Sequence, residues 1–387
     1  MKTFFKKLYS WLERHWVSPA YGGGLLLVLA LFFFGAATNT MAGWLYLISG
    51  VSLVILLLGA ILPPRSLRQL HVRRHPISPV SAGDRLTLEM TVENRSSRPQ
   101  TLLEFYDLSP VRLGEPPRGK LEYIDPQQTY RWLYELSAAQ RGIYYWHEVQ
   151  LRSAAPLGLF WCRRSRQVPA KAIVYPTVLP LSRCPLIDNI GRENVPLLDS
   201  RDRHSQLSAE GLTRALRPYR WGDPTRLIHW RTSARYGELR VRELETFSSG
   251  QEVAICLDSG ENWEAENFEQ AAIAAASLYF YAIRAQVEVQ FWSPKTGSIR
   301  GHQVVLEALA DATPNEEKNE AKPPSLPIVW LTQNPNSLRD LPSGSRWLLW
   351  ADRDRVRGAI ASECPGIALS DDRPLELHLQ SSLSAIQ

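Results

Sequence analysis

The chain has 387 residues, 44% hydrophobic and 21% charged, with 44 Lys and Arg against 39 Asp and Glu for a formal charge of +5. A surplus this small does not imply nucleic acid, and much of it sits beside an apolar segment where anionic lipid headgroups are the natural counterions. Cys162, Cys184, Cys256 and Cys364 are far apart and form no C-x-x-C or Cys/His cluster, which speaks against a zinc site or a disulfide framework and for buried thiols in a reducing compartment.

From His15 to Pro64, fifty consecutive residues lack Lys, Arg, Asp and Glu. One helix of that length would run about 75 Å, against the ~30 Å of a bilayer's hydrocarbon, so two spans fit: Val17 to Thr38 and Met41 to Leu62, with Thr38, Asn39 and Thr40 as a minimal polar turn. Lys2, Lys6, Lys7 and Arg14 precede the pair and Arg65, Arg68, Arg73 and Arg74 follow it. The positive-inside rule therefore places both ends in the cytoplasm, with the chain multi-pass in an inner membrane. Trp11, Trp16, Tyr21, Trp44 and Tyr46 fall at the expected headgroup level, and Gly22, Gly23, Gly24, Gly43, Gly50 and Gly59 would allow close helix approach. A cleavable signal peptide ending near Gly35-Ala36-Ala37 is the rival reading; the second apolar segment argues against it.

After residues 1–64 come 323 residues, enough for two domains. Over 65–176 the period is two: Leu86, Leu88, Met90 and Val92 alternate with Thr87, Glu89, Thr91 and Glu93, and Tyr130 to Leu136 and Ile143 to Leu151 behave alike. Turn signals at short intervals then predict an antiparallel, Ig-like β-sandwich. Pro156 to Phe160 interrupts it as an apolar turn, read as a packed crossover rather than a binding loop. Residues 177–212 read as a linker, and 213–387 as a signature segment joined to an α/β domain. In that domain Val253 to Leu257, Val287 to Trp292, Ile328 to Leu331 and Arg346 to Trp350 are strands. Glu264 to Arg284, Val304 to Ala310 and Val356 to Ser362 are helices, and the alternation implies a parallel, Rossmann-like sheet. Thr313 to Pro327 reads as a polar surface loop.

The densest signal is Leu216 to Arg235, followed by Gly237 and Leu239 to Glu243. Asp223 suits an N-cap, Pro224 a first helical position and Gly237 a left-handed stop, which predicts a helix from Pro224 to Tyr236. Leu227, Trp230 and Ala234 would pack on the sheet, leaving Arg226, His229 and Ser233 on another face. Eight arginines from Arg214 to Arg242 interleave with Tyr219, Trp221, Trp230 and Tyr236. Three uses compete: ion-pair locking by Asp223, Glu238, Glu243 and Glu245, a protein-partner surface, and anion or nucleic-acid binding. His229 with Asp223 and Ser233 invites a catalytic-triad reading, but three residues radiating from one short helix and its cap do not line a cleft.

This segment resembles the bacterial domain-of-unknown-function family 58, whose pattern R-x-Y-x-x-G-D-x-x-R-x-I-x-W-x-x-S/T-A-R is met by Arg217, Tyr219, Gly222, Asp223, Arg226, Ile228, Trp230, Ser233, Ala234 and Arg235. The resemblance extends to the paired spans, the β-rich domain and a C-terminal von Willebrand factor A-like domain. It implies a scaffold-like membrane protein, without an established catalytic activity, that partners a MoxR-type AAA+ ATPase. With no assembled catalytic set, the chain reads as a non-enzymatic membrane-anchored adaptor or scaffold that engages the ATPase through the Arg-rich face, with Arg217, Tyr219, Asp223, Arg226, Trp230 and Arg235 as partner-binding residues, and through the Asp258 loop; no nucleic acid is expected. A-like domains often hold Mg²⁺ through Asp-x-Ser-x-Ser. Here the stretch is Asp258-Ser259-Gly260-Glu261-Asn262, so no cofactor is expected, and a metal-dependent enzyme or adhesion module centred on Asp258 is the alternative.

Overall fold

The computed structural model describes residue 9 and residues 11–190, 213–219, 225, 228–244, 252–316, 322–350, 364–369 and 373–383. It divides into two compact units, Met1–Pro176 and Thr177–Gln387. The expected helix over Val356 to Ser362 lies outside the described residues.

The first unit opens with a short strand β1 (Ser18–Pro19) and two helices, α1 (Tyr21–Thr40) and α2 (Gly43–Arg68). Both are long and apolar enough to cross a membrane. Most of their side chains face outward, Phe32 67% and Leu47 68% exposed among them. An outward apolar surface of this extent on both helices marks a membrane or protein contact. Thr38 to Thr40 are helical, not a turn: the hydroxyls of Thr38 and Thr40 donate to the carbonyls of Gly35 and Ala36 at 2.7 and 2.8 Å, and the chain reverses at Met41, whose φ is 52°. Helix α2 continues through Pro63 and Pro64 to Arg68, so the β domain begins later than residue 65.

The glycines do not serve mainly to bring α1 and α2 together. Gly24, Gly43 and Gly50 face open space, whereas Gly23 and Gly59 receive the turn before β9. A Cβ on Gly23 would lie 2.0 Å from the Leu159 carbonyl oxygen, and one on Gly59 would lie 3.4 Å from the Leu159 and Phe160 side chains. The Ala20 N–H donates to that same carbonyl at 2.8 Å. Between the helices themselves, the buried Ser49 hydroxyl donates to the Ala30 carbonyl at 2.9 Å.

Nine strands complete the unit's two sheets: β1 with β2 (Leu70–Arg74), β3 (Val80–Ser81), β4 (Arg85–Asn94), β5 (Gln100–Asp107), β6 (Arg118–Ile124), β7 (Thr129–Ser137), β8 (Gly142–Ser153) and β9 (Phe160–Tyr175). One sheet runs β1-β9-β8-β5-β6, with β3 beside β9; the other runs β2-β4-β7. The sandwich follows from the alternation in β4, where Leu86, Leu88, Met90 and Val92 are all buried and face Phe105, Val149, Trp146 and Ala172 of the opposite sheet. An ion pair crosses this core: Arg74 meets Asp107 at 2.6 Å, the Trp146 indole N–H donates to Asp107 at 2.9 Å, and the Tyr134 hydroxyl donates to the other carboxylate oxygen. Removing either charge would strand the other in an apolar interior, at a cost of about 3–5 kcal/mol. Beside the helices, buried Glu13 pairs with Arg152 and Arg163, and Arg164 donates to the carbonyls of Arg14 and Trp16 at 2.7 and 3.3 Å. Those bonds close the helical turn of residues 11–15 against β9.

In the second unit a six-stranded sheet has the order β14-β13-β12-β15-β16-β17, from β12 (Glu252–Leu257), β13 (Glu288–Ser293), β14 (Gly297–Ile299), β15 (Ile328–Thr332), β16 (Arg346–Trp350) and β17 (Gly366–Leu369). All pairings are parallel except β13 with β14. One face is covered by α3 (Pro185–Asp188), α5 (Ala265–Arg284), α6 (His302–Asp311) and α7 (Leu375–Leu379); α4 is introduced below. Phe268, Ala272, Ala275, Tyr279 and Ala282 of α5 are buried there, as their spacing requires. On the other face Trp292, Trp330 and Trp347 are buried with Leu338.

Residues 177–190 are not a linker. Leu181, Cys184, Leu186, Ile187 and Ile190 belong to the α/β core, the Leu179 N–H donates to Ser277 at 2.9 Å, and Asp188 accepts from Tyr281 at 2.9 Å. Their buried side chains alternate irregularly around a four-residue helix, which leaves no period to read.

A contact with backbone on one side gives a paired test. Gly23→Ala must displace the Leu159 carbonyl and is expected to destabilise the chain by about 1–3 kcal/mol. Gly24→Ala, in open space one residue on, is expected to lose nothing; thermal unfolding of both variants in detergent separates them.

Candidate functional site

Two places in the second unit gather the residues singled out by sequence. The first is the signature hairpin, β10 (Thr213–Pro218) antiparallel to β11 (Arg240–Leu244), with α4 (Trp230–Tyr236) between them in sequence. Ile228 bridges to Val241 and the His229 N–H donates to the Arg240 carbonyl at 2.8 Å, so the chain enters α4 along the free edge of β11. His229, not Asp223, caps the helix: its Nδ1 accepts the Thr232 N–H at 3.2 Å. Gly237 ends the helix at φ 73°, the left-handed conformation its position calls for. Asp223 and Arg226 lie outside the described residues. Arg217 pairs with Val241 by its backbone in the ladder, and Tyr219 donates its N–H to the Leu239 carbonyl at 2.8 Å.

Helix α4 is rotated from the expected setting. Trp230 is 65% exposed and Ala234 is exposed too, while Ser233 is buried. The cause is hydrogen bonding. The Ser233 hydroxyl donates to the His229 carbonyl at 3.1 Å and accepts the Arg240 N–H at 2.9 Å, pinning its own face of the helix to β11. These bonds also occupy the hydroxyl with backbone groups, so it does not address the His229 ring as a nucleophile addresses its base. Outside this pin stand Trp230, Tyr236, Arg231 and Arg235, all exposed. The Arg240 guanidinium stacks on Tyr236 at 4.5 Å and pairs with Glu238 at 2.6 Å, holding the Tyr236 ring in place. This arrangement is aromatic and cationic, the composition of protein-binding hot spots.

The second place is the carboxyl end of the parallel sheet, where open α/β sheets bind ligands. The buried Asp258 follows β12, and its Oδ2 accepts the Thr332 hydroxyl at 3.1 Å; the Trp263 indole N–H donates to the Asp258 carbonyl at 2.7 Å. The buried Ser259 hydroxyl donates to Glu316 at 2.6 Å, whose other oxygen accepts the Thr313 N–H at 2.9 Å. Glu316 in turn donates its N–H to the Ser259 carbonyl at 3.1 Å, and Lys295 lies 3.7 Å from its carboxylate. The hydrogen bond from Lys295 to Asp311, at 2.7 Å, raises the ammonium's pKa. Glu261 accepts from Asn334 at 3.3 Å.

This donor set does not fit a hard cation. Mg²⁺ and Ca²⁺ need several oxygens converging on one point. Here the Ser259 hydroxyl is turned to Glu316, Gly260 has no side chain, and among the described residues no three His, Cys, Asp or Glu side chains form a metal-holding group. Glu316 and Thr332 complete the cluster and carried no sequence signal, Glu316 lying in a polar stretch that reads as a solvated loop.

Fold and sites together define a chain with paired apolar helices on a two-sheet β unit and a separate parallel α/β unit bearing an exposed hairpin. Residues 215–321 match the family model described as "Protein of unknown function DUF58". The "Uncharacterized protein YeaD" of Bacillus subtilis (strain 168) is 23% identical over 279 residues, 69% of this chain and 67% of that protein. Among solved structures, the solution structure of a CARDB domain from Pyrococcus furiosus is 11% identical, covering 26% of this chain and 94% of that one at a TM-score of 0.20. A beta-glucosidase from Listeria innocua in complex with glucose is 14% identical, covering 26% of this chain and 16% of that one at a TM-score of 0.15. Scores this low bear on neither ligand nor activity.

Two measurements follow from this geometry. Excess Mg²⁺ or Mn²⁺ is expected to leave the thermal midpoint of the full chain where a chelator sets it, since a ligand that binds the native state raises it; a rise abolished in Asp258→Ala would contradict the fit. Burial pushes the Cys162 and Cys184 thiols up to about 11 and about 12, and that of Cys256 well above its usual value. Partly buried Cys364 is therefore expected to react with a thiol reagent at pH 8 ahead of the other three, which wait for unfolding.

Proposed function

We propose that this chain is a membrane-anchored adaptor or scaffold without catalysis, with α1 and α2 crossing a bacterial inner membrane and both termini in the cytoplasm. The α/β unit is read as a von Willebrand A-like module that engages a MoxR-type AAA+ ATPase. The observation that carries this reading is the exposed face formed by Trp230, Arg231, Arg235 and Tyr236 on a helix whose buried Ser233 hydroxyl is bonded to the backbone of His229 and Arg240. A face that is ordered from within and presents aromatic rings and arginines is suited to a protein partner. Supporting the A-like reading are the sheet order, helix α5 behind it and Asp258 at the end of β12. The closed Asp258 cluster favours a structural use of that loop over metal chemistry. Lys and Arg on both flanks of the apolar segment support the cytoplasmic orientation.

Purification of the tagged full chain from membranes in the presence of ATP is expected to retain an AAA+ ATPase. Trp230→Ala with Arg235→Ala should weaken that association roughly 30-fold, as loss of a hot spot worth about 2 kcal/mol does. Recovery of no ATPase, or full retention by the double variant, would remove the proposal. Protease added outside spheroplasts should leave both extramembrane units intact.

A further inference from the structure

We propose that the apolar turn leading into β9, residues 154–161, is itself a membrane-inserting element, so that the β unit is seated in the lipid rather than hung from it. The inference rests on the reading of α1 and α2 as membrane spans.

Three observations place the turn. First, the sequence Ser153-Ala154-Ala155-Pro156-Leu157-Gly158-Leu159-Phe160-Trp161 carries no charge, and the arginines that bracket it, Arg152 and Arg163, are both turned to the buried Glu13. Second, Leu159 is wedged between the two helices at Gly23 and Gly59, and its carbonyl is fixed by the Ala20 N–H. Third, Leu157 points out of the fold, 46% exposed, and Trp16 and Tyr21, on either side of the Ser18–Pro19 strand that pairs with Phe160 and Trp161, are exposed as interfacial aromatics are.

Depth follows from helix geometry. Gly59 is six residues before Arg65, the first charge after α2's apolar run, which is about 9 Å along the axis. The polar layer on one side of a bilayer is roughly 5–8 Å thick, half the difference between its ~30 Å hydrocarbon and ~40–45 Å total thickness. With the guanidinium of Arg65 at headgroup level, Leu159 therefore lies at the edge of the hydrocarbon, and the exposed Leu157 two residues earlier finds acyl chains for a neighbour. Lipid is the occupant this position selects: the turn is continuous with the outward apolar faces of α1 and α2, and a soluble partner would have to displace headgroups to reach it.

The test uses the full chain in liposomes with a nitroxide at single sites, built on Cys364→Ser so that the three buried cysteines stay unlabelled. Labels go at Leu157→Cys, at Val28→Cys in the exposed face of α1, and at Tyr145→Cys, exposed in β8 and eight residues from Ser153, roughly 26 Å along the strand. Collisions with oxygen report lipid; collisions with a water-soluble nickel chelate report solvent. Loss of nickel collisions with gain of oxygen collisions at 157 and 28, relative to 145, is the expected result. Lipid exposure at 28 with solvent exposure at 157 equal to that at 145 overturns the inference alone. Solvent exposure at 28 overturns the membrane reading, and the inference with it.

Discussion

A peptide carbonyl resting on the bare backbone of Gly23 is the contact on which the first unit depends. On the proposed reading of α1 and α2 as membrane spans, acyl chains as apolar as leucine give the helices no hydrophobic drive to hold one another, so the pair needs contacts of close fit. Leu159 supplies one, reaching both α1 and α2 from the β sandwich. Its carbonyl is paired by Ala20 and its side chain fills the space that Gly59 leaves, which makes the same five-residue stretch a structural member of two different layers. The Glu13, Arg152 and Arg163 group and the carbonyl contacts of Arg164 then hold the segment before α1 against β9. The joint between helices and sandwich is thus a packed surface and not a tether.

Much of the architecture was legible because each element obeys a single period. Strand β4 alternates without exception, and α5 puts Phe268, Ala272, Ala275, Tyr279 and Ala282 on one face; in both, burial follows the side-chain repeat. Where reading failed, a hydrogen bond overrode the pattern. Thr38 and Thr40 look like a turn and instead bond back into α1, which delays the reversal to Met41. In α4 the spacing puts Trp230 on the sheet side, yet Ser233 makes the two bonds that fix which side faces β11. Residues 177–190 resemble a linker because prolines break every period, although their apolar side chains fill the α/β core. Glu316 is 57 positions from the serine it holds, a separation across which no local rule operates.

The two candidate places differ in how their polar groups are spent. At the sheet's carboxyl end, Asp258, Ser259, Thr332 and Glu316 answer one another, so the loop after β12 is stiffened by its own side chains. At the hairpin, polar satisfaction is confined to the side facing β11, and the opposite side presents two aromatic rings and two arginines. Groups already paired contribute little new energy on contact with a partner, whereas exposed rings still have apolar area to remove from water. That contrast separates a place built for rigidity from one built for recognition.

Strand β9 also dictates an order of events during synthesis. The first strand, Ser18–Pro19, has its partner at Phe160 and Trp161, and Arg74 donates to the carbonyl of Val168, 94 positions later. A nascent chain emerging from the ribosome would thus have both apolar helices complete well before the sandwich can close. Until residue 159 is made the wedge between the helices is missing, and until residue 175 is made β8 lacks one of its two neighbours, which leaves an incomplete sheet edge. Vectorial synthesis thus completes the helices first and leaves the pairing of the last long strand until the end of the unit has been made.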